Sequence, residues 1–504
     1  MQSIKKKISI LISILILVGT MFFILEKTRY LFVVDSDILW HIKTGKWIIE
    51  HREVPKTDVF SWHKGLNWMP HEWLYDIFLS IMYDCLGLQS VMIIALLLLT
   101  LRIGFVTVYN VFIKKENFYA YSLFLSSLLI FEGYTWAVGR PLEFTVIFIL
   151  LNLLTFIKRR KKITYYFSFC LSCLAISNLH GGTIQTIFSQ MIIFLGIDII
   201  YYLRSNDKVY RKEELDEIKT KLKVTFAGFI VSLLNPHGIN VYSYCFKMLF
   251  SGAKEATNTI AEWQPITFIS TMACFVFVAI FISFSLNKKI KELDKETITK
   301  MAIISFWGIA MLRYNRCTPI FLFVVLLWGY DFIKDSILTI VNSFNLEKIF
   351  KLLKIISYLI VPVFILLTMV MGIKWTSYYF GHSEKELLAE GFPYESIEYL
   401  KKNNITTKIY NDDWGSWMLF NDIPTFVDGR CDPFVKEFSP GNSQFIEAAN
   451  MEKLEDYINL FEKYDIEYAL LKKDEDLSIL LESTGKWKTI ITERRAMLLK
   501  RVDI

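Results

Sequence analysis

Two carboxylates separated by one residue, Asp35 and Asp37, stand just beyond the first apolar run of this sequence. At that spacing the pair can hold a divalent cation. Alternatively, one carboxylate can take a proton from a hydroxyl, since partial shielding from water raises a carboxyl group toward the range of a working base. The structural alternative is that Asp37 caps the helix that follows it. Trp40-His41 lies within the next turn of the same segment. His180, in Asn178-Leu179-His180-Gly181-Gly182, and His237, in Asn235-Pro236-His237-Gly238, each sit beside glycine where an apolar run ends. Such a histidine either stops a helix with its ring satisfied or lines a cavity. Arg140, Arg313 and Arg316 offer planar forks that match phosphate; their alternative is snorkelling to lipid headgroups. Glu72 and Glu262 each precede a tryptophan and serve either a cavity or an interfacial anchor. Asp428-Gly429-Arg430-Cys431-Asp432-Pro433 reads as a strand followed by a tight turn, which an Asp–Arg ion pair holds together.

The elements that must position these residues are mostly membrane spans. Of the 504 residues 53% are hydrophobic and 16% aromatic, and the mean hydropathy is +0.37. A soluble protein of this length needs a more polar surface, so the solvent for much of the chain is lipid. The formal charge of +6 is spread over short basic clusters between apolar runs, a pattern that does not serve nucleic acid. Cys170 and Cys173 form a CxxC inside an apolar run and read as small apolar side chains. No P-loop, dinucleotide glycine fingerprint, HExxH or zinc-ligand spacing occurs.

At about 20 apolar residues per span, about eleven candidates appear, near 8–25, 89–113, 118–133, 142–157, 163–179, 183–203, 222–235, 265–286, 300–312, 317–334 and 354–373. The first follows Lys5-Lys6-Lys7 and has no small-x-small cleavage site, so it reads as an uncleaved span. Lysine and arginine belong in cytoplasmic loops. Placing Lys114-Lys115, Lys158 to Lys162 and the linkers 204–223 and 288–300 inside forces the segment 72–87 to lie on the outer surface as an interfacial helix. With the N-terminus cytoplasmic, every polar motif named above then falls on the extracytoplasmic face, including Trp136-Ala137-Val138 before Gly139-Arg140-Pro141. Residues of that kind at a membrane boundary usually face a cavity.

The division expected is a multi-pass domain, 1–375, with a long first outer loop at 26–88, and a C-terminal soluble domain, 376–504. Asp37 to Glu50 has helical spacing. In the tail, the pattern predicts a helix near 384–403 and a strand at 408–411. A short helix or turn follows around Asp413-Trp414-Gly415-Ser416-Trp417, then a strand at 425–427 and a helix near 451–464. Strands near 467–472, 486–492 and 495–501 complete a small α/β domain outside the membrane.

Asp35-x-Asp37-x-x-Trp40-His41-x-x-x-Gly45, Pro55-x-x-Asp58-x-Phe60-Ser61 and Glu72-Trp73-Leu74 together resemble a family of bacterial multi-pass proteins described as GT-C-like glycosyltransferases. Gly139-Arg140-Pro141, Asn178-x-His180-Gly181-Gly182, Asn235-Pro236-x-Gly238, Glu262-Trp263 and Asp428-Gly429-Arg430 extend the resemblance over nearly the whole chain. It implies a mainly α membrane fold of GT-C type that transfers a sugar from a polyprenyl-phosphate donor to an extracytoplasmic acceptor (glycan, lipid or protein) in cell-envelope assembly. It also implies that Asp35 or Asp37 acts as the base or helps hold Mg or Mn, although the usual DE or ED pair is D-x-D here. Arg140, Arg313 or Arg316 would then stabilise the leaving lipid phosphate. His41, Glu72, His180, His237 and Glu262 would line the cavity. The competing readings are a flippase or transporter of lipid-linked glycans and a non-catalytic envelope-assembly protein. A transporter is expected to show inverted repeats or broken helices, and the sequence shows neither clearly.

Overall fold

A computed structural model describes residues 2–27, 35–132, 139–250, 258–266, 272–286, 294–389, 391–473 and 476–502. Trp136-Ala137-Val138 and part of the first outer loop lie outside the described residues. The chain forms two compact units: Met1–Arg29 with Met92–Cys245 and Ala261–Tyr378, and Tyr30–Val91 with Phe246–Ile260 and Tyr379–Ile504.

The first unit is helical because an apolar segment in lipid must satisfy its own backbone groups. Among the described residues, five helices are long and apolar enough to cross a membrane: Lys7–Ile24, Gln89–Ile113, Gly181–Arg204, Asn315–Ser343 and Glu347–Gly381. Phe118–Ile130, Leu142–Phe156 and Ala273–Ser285 are shorter apolar helices. The other expected spans also fall on helices, Lys162–Leu179, Lys208–Ser232 and Lys295–Arg313. The last expected span runs past the composition shift at Trp375 to Gly381.

Inside this unit several buried polar groups are paired. A π-helical stretch, Val325–Gly329, breaks the usual hydrogen-bond ladder. Asn110 Nδ2 donates to the carbonyls of Leu326 (3.1 Å) and Leu327 (3.2 Å), and Tyr121 donates to Leu326 at 2.9 Å. Arg102, within an apolar helix, forms an ion pair with Glu143 at the start of Leu142–Phe156, both side chains buried. Basic linkers assigned to the cytoplasm are knit by Lys221–Asp198 (2.6 Å), Lys295–Asp198 (2.8 Å) and Arg159–Glu214 (2.8 Å).

In the second unit the first outer loop and the tail fold together. The Asp37–His51 and Trp73–Leu86 helices fit the spacing read from the sequence. The tail contains a four-stranded sheet of β1 (Ile409–Asn411), β2 (Tyr468–Lys472), β3 (Trp487–Thr492) and β4 (Ala496–Arg501), in the order β1-β2-β4-β3. β1 is parallel to β2, pairing Ile409 with Tyr468; the other pairings are antiparallel. Tyr410, Phe426, Phe461, Leu471, Trp487 and Leu499 contribute to its core.

Two local expectations are corrected. The helix expected near 384–403 is two helices, Glu384–Ala389 and Tyr394–Lys402. Pro393 stands immediately before the second, and a residue preceding proline disfavours helical geometry. Residues 425–427 do not form a strand of the sheet. Asn411 instead brackets this segment, donating to the Val427 carbonyl (2.8 Å) and accepting from Phe426 N–H (2.9 Å). Thr425 makes an isolated parallel bridge to Ser61 of the outer loop. The same loop adds Trp62 Nε1 to the Ile409 carbonyl (3.1 Å) and Asn67 N–H to Ser439 Oγ (2.8 Å).

Candidate functional site

In the second unit the site begins where the Asp37–His51 helix starts. Asp35 is buried, and its Oδ1 accepts the Asp37 backbone N–H at 3.3 Å. The expectation that Asp37 caps this helix is overturned. Ser36 occupies the cap position with helical dihedrals, and it makes no side-chain cap hydrogen bond. A capping side chain must stand before the first helical residue, whereas Asp37 is already inside the first turn. Its carboxylate is packed against the tail instead: a Cβ on Gly429 would collide with Asp37 Oδ1 and stand 3.1 Å from Ser416 Oγ. Glycine at 429 therefore lets the Asp428-Gly429-Arg430 backbone come up against the Asp37 carboxylate.

That turn is held by Arg430. Its Nε donates to Asp428 Oδ1 (2.8 Å), Nη2 to Asp428 Oδ2 (2.7 Å) and Nη1 to Asp58 Oδ1 (2.5 Å). All three side chains have 0% exposure. The guanidinium lies 4.5 Å from the Trp68 ring centre and 5.1 Å from that of Phe60, so aromatic faces support the charge. Burial alone would raise the Asp58 carboxyl. The Arg430 charge and the bonds from Ser61 and Phe60 outweigh it and hold the group below its ordinary value. Asp432 is the opposite case: burial, only partly offset by Arg430, pushes it up to about 8.

One turn along the helix, His41 is buried between two carboxylates. Its Nδ1 is 2.5 Å from Asp76 Oδ1 and its Nε2 is 3.8 Å from Glu72 Oε2. Trp40 stacks on the ring at 3.7 Å between centroids, and Tyr75 meets it edge-on at 5.1 Å. Gly45 permits this approach, because a Cβ there would run into the Asp76 carbonyl oxygen and stand 2.7 Å from Ser80 Cβ. Burial, reinforced by Glu72, pushes the Asp76 carboxyl well above its ordinary range.

In the first unit the structure brings together Arg140, Glu262 and Arg316. Glu262 accepts from Arg140 Nη1 at 3.1 Å and lies 3.7 Å from Arg316 Nη1. Arg316 stands 4.3 Å over the Trp263 ring. Burial would raise Glu262; the charges of Arg316 and Arg140 prevail and lower it. Arg313 stands over Tyr314 at 5.2 Å. His180 follows the Lys162–Leu179 helix, its N–H bonded to the Ile176 carbonyl and its Nδ1 2.9 Å from Thr145 Oγ1. His237 lies in a turn where its N–H donates to Asn235 Oδ1 at 2.8 Å.

Sequence reasoning did not single out Asp76 as a partner of His41, Asp58 as a partner of Arg430, or the Arg102–Glu143 pair. A lone arginine in the apolar run 89–113 is the signal that could have exposed the last. Among the described residues, no group of three or more His, Cys, Asp or Glu could hold a metal ion.

No protein-family model matches the chain, and no curated protein matches its sequence. Among solved structures it is similar to the Archaeoglobus fulgidus oligosaccharyltransferase tethered with an acceptor peptide containing the NVT sequon, with a TM-score of 0.50 and 12% identity. The likeness covers 86% of this chain and 64% of that one, so the chain spans less than two thirds of its neighbour's length. At that identity the likeness concerns the fold alone.

Proposed function

We propose that this chain is a membrane glycosyltransferase that moves a sugar from a polyprenyl-phosphate donor to an extracytoplasmic acceptor. The observation that carries the reading is the Asp37 carboxylate at the first turn of the outer-loop helix, packed against the Asp428-Gly429-Arg430 turn; the similarity in fold to an oligosaccharyltransferase supports it. Asp35, which accepts a backbone N–H, shapes the loop, and Asp37 is the base.

In the proposed reaction the acceptor hydroxyl oxygen attacks the anomeric carbon while its proton passes to Asp37. The bond from the anomeric carbon to the phosphate oxygen breaks, and the lipid phosphate leaves with the electron pair. Arg140 and Arg316, both beside Glu262, and Arg313, close to Arg316 in the sequence, are the candidate cations for its charge. A lipid-bound donor gives a reason for the chemistry to be carried by a membrane protein. In this reading the N-terminus is cytoplasmic and about eleven spans place the tail outside.

The test is purified protein in proteoliposomes given polyprenyl-phosphate monosaccharides of glucose, mannose and galactose. Release of polyprenyl phosphate together with acceptor modification supports the reading. Translocation of the intact lipid without cleavage would make the chain a flippase.

A further inference from the structure

An open cleft of about 200 Å³ lies in the second unit, lined by the Asp37–His51 helix, the outer loop and the tail segment around the end of the Gly415–Phe420 helix. The geometry points to a subsite for one sugar unit of a glycan acceptor, distant from the unit that reacts. The inference rests on the glycosyl-transfer reading and deepens it, because it commits the acceptor to a glycan.

One wall of the cleft is aromatic. Trp47 lines it and is half-buried, with its indole stacked on His51 at 4.1 Å between centroids. His51 is itself held, its Nδ1 2.9 Å from the Trp47 carbonyl. Trp47 also packs against a buried cluster of Trp40, Phe60, Trp68 and Leu419. The indole is thus fixed before a ligand arrives, and little side-chain freedom is lost on binding. The face of an aromatic ring is negative, which favours the partly positive C–H groups of a sugar ring.

The charged lining is balanced. Lys43 and Lys46 face the cleft together with Glu50 and Asp422, so two ammonium groups meet two carboxylates. Lys43 is paired with Asp422, and Lys46 stands 3.3 Å from Asp84. Asp422 has a left-handed backbone, φ 64°, at the end of a short helix where glycine or asparagine is usual. Aspartate keeps a carboxylate at the mouth of the cleft, where its side chain is 75% exposed. An ion pair that open adds little stability, so holding the segment is not reason enough for it. Mixed donors and acceptors suit hydroxyl groups, which both donate and accept. A phosphate would be repelled by the carboxylates, and a lipid chain would leave four charges against hydrocarbon.

The position of the cleft sets its role. Trp47 follows Asp37 by ten positions on one helix, roughly 15 Å along the axis. A sugar held at Trp47 is out of reach of the Asp37 carboxylate, so it belongs to another unit of the same acceptor chain. Phe60 lines the cleft and also lies 5.1 Å from the Arg430 guanidinium, which ties the cleft to the turn packed on Asp37. The space equals roughly six or seven waters, enough for a sugar ring and too little for a folded protein.

The experiment is saturation-transfer NMR and calorimetric titration of the full chain in nanodiscs with maltotetraose, cellotetraose, mannotetraose and chitotetraose, each with inorganic phosphate as competitor. Wild type is expected to bind at least one tetrasaccharide, and phosphate should not displace it. Trp47→Ala should weaken binding about tenfold or more, and Trp47→Phe less. Asp422→Asn suits a left-handed backbone and should weaken binding about threefold. If proteolysis shows that W47A does not fold, W47F and D422N carry the test. With polyprenyl-phosphate monosaccharides as donors, the loss in W47A should fall on acceptor KM more than on kcat. Unchanged affinity in the folded variants, or displacement of the glycan by phosphate, overturns the subsite. Release of polyprenyl phosphate by a wild type that binds none of the tetrasaccharides refutes the subsite alone. Glycan binding that is lost in W47A, by a wild type that cleaves no donor, upholds the cleft as a glycan site and refutes the glycosyl-transfer reading.

Discussion

Replacing Arg430 with alanine should unfold the second unit before it affects chemistry. The substitution removes three charge-assisted hydrogen bonds, to Asp428 through Nε and Nη2 and to Asp58 through Nη1. It leaves two carboxylates whose side chains have 0% exposure. Taking one partner from a buried ion pair costs about 3–5 kcal/mol, because the other charge stays buried and unpaired. At about 1.4 kcal/mol per factor of ten, that is roughly a 100- to 5,000-fold change in the unfolding equilibrium. The sign with pH follows from Asp58, whose folded value is depressed. Its contribution is present above the ordinary carboxylate range and is lost as pH falls through the folded value. The R430A defect should therefore be largest near neutrality and shrink in acid, where the orphaned carboxylates become neutral. Arg430→Lys keeps the charge but not the fork and should fall between. The assay is limited proteolysis of the full chain in nanodiscs with tryptophan fluorescence, since Trp68 lies under the guanidinium. Normal proteolysis at every pH together with abolished turnover would refute the reasoning and place Arg430 in the chemistry.

Other consequences can be checked separately. Asp37→Asn should cut turnover roughly 100- to 10,000-fold while Asp35→Asn loses mainly stability; equal and near-normal rates in two folded variants would remove the carboxylate mechanism. Gly45→Ala should separate the two outer-loop helices and cost about 1–3 kcal/mol of stability by overpacking, read by proteolysis of the loop. Asp432, pushed up to about 8 from 3.8, stabilises the fold fully below its ordinary value. That contribution is lost progressively as pH rises from 3.8 to about 8, so Asp432→Asn should flatten the fall in stability across that window. A reporter active only in the cytoplasm, fused after Ile504, should stay silent; activity would mean that 72–87 crosses the membrane or that a later span was miscounted.

How much was legible in the sequence depended on how far apart the partners lie. The Asp37–His51 and Trp73–Leu86 helices and strands β1 to β4 follow local periodicity, which the side-chain pattern carries directly. The Asp428–Arg430 ion pair was legible because two residues of one turn make it. Its third member, Asp58, was not, since nothing local ties an outer-loop carboxylate to a turn of the tail. Asp76 lies on the helix that the basic loops led us to expect at the membrane surface, and its bond to His41 appears only when Gly45 lets the helices meet. The misread cap at Asp37 is a one-residue boundary error, with Ser36 already helical. The strand expected at 425–427 failed because Asn411 and the outer loop take up backbone groups that a neighbouring strand would have used. Arg140, Glu262 and Arg316 were each expected on one face, and their meeting at Glu262 is a contact the charge pattern alone could not specify.

The central claim is that a carboxylate at the start of the outer-loop helix drives transfer of a lipid-linked sugar. The most direct measurement compares wild type and Asp37→Asn in proteoliposomes supplied with polyprenyl-phosphate monosaccharides and scored for released polyprenyl phosphate. The account predicts release by wild type and a loss of roughly 100-fold or more in a folded D37N protein. Undiminished release by D37N, or none by wild type with any of the donors, would contradict it.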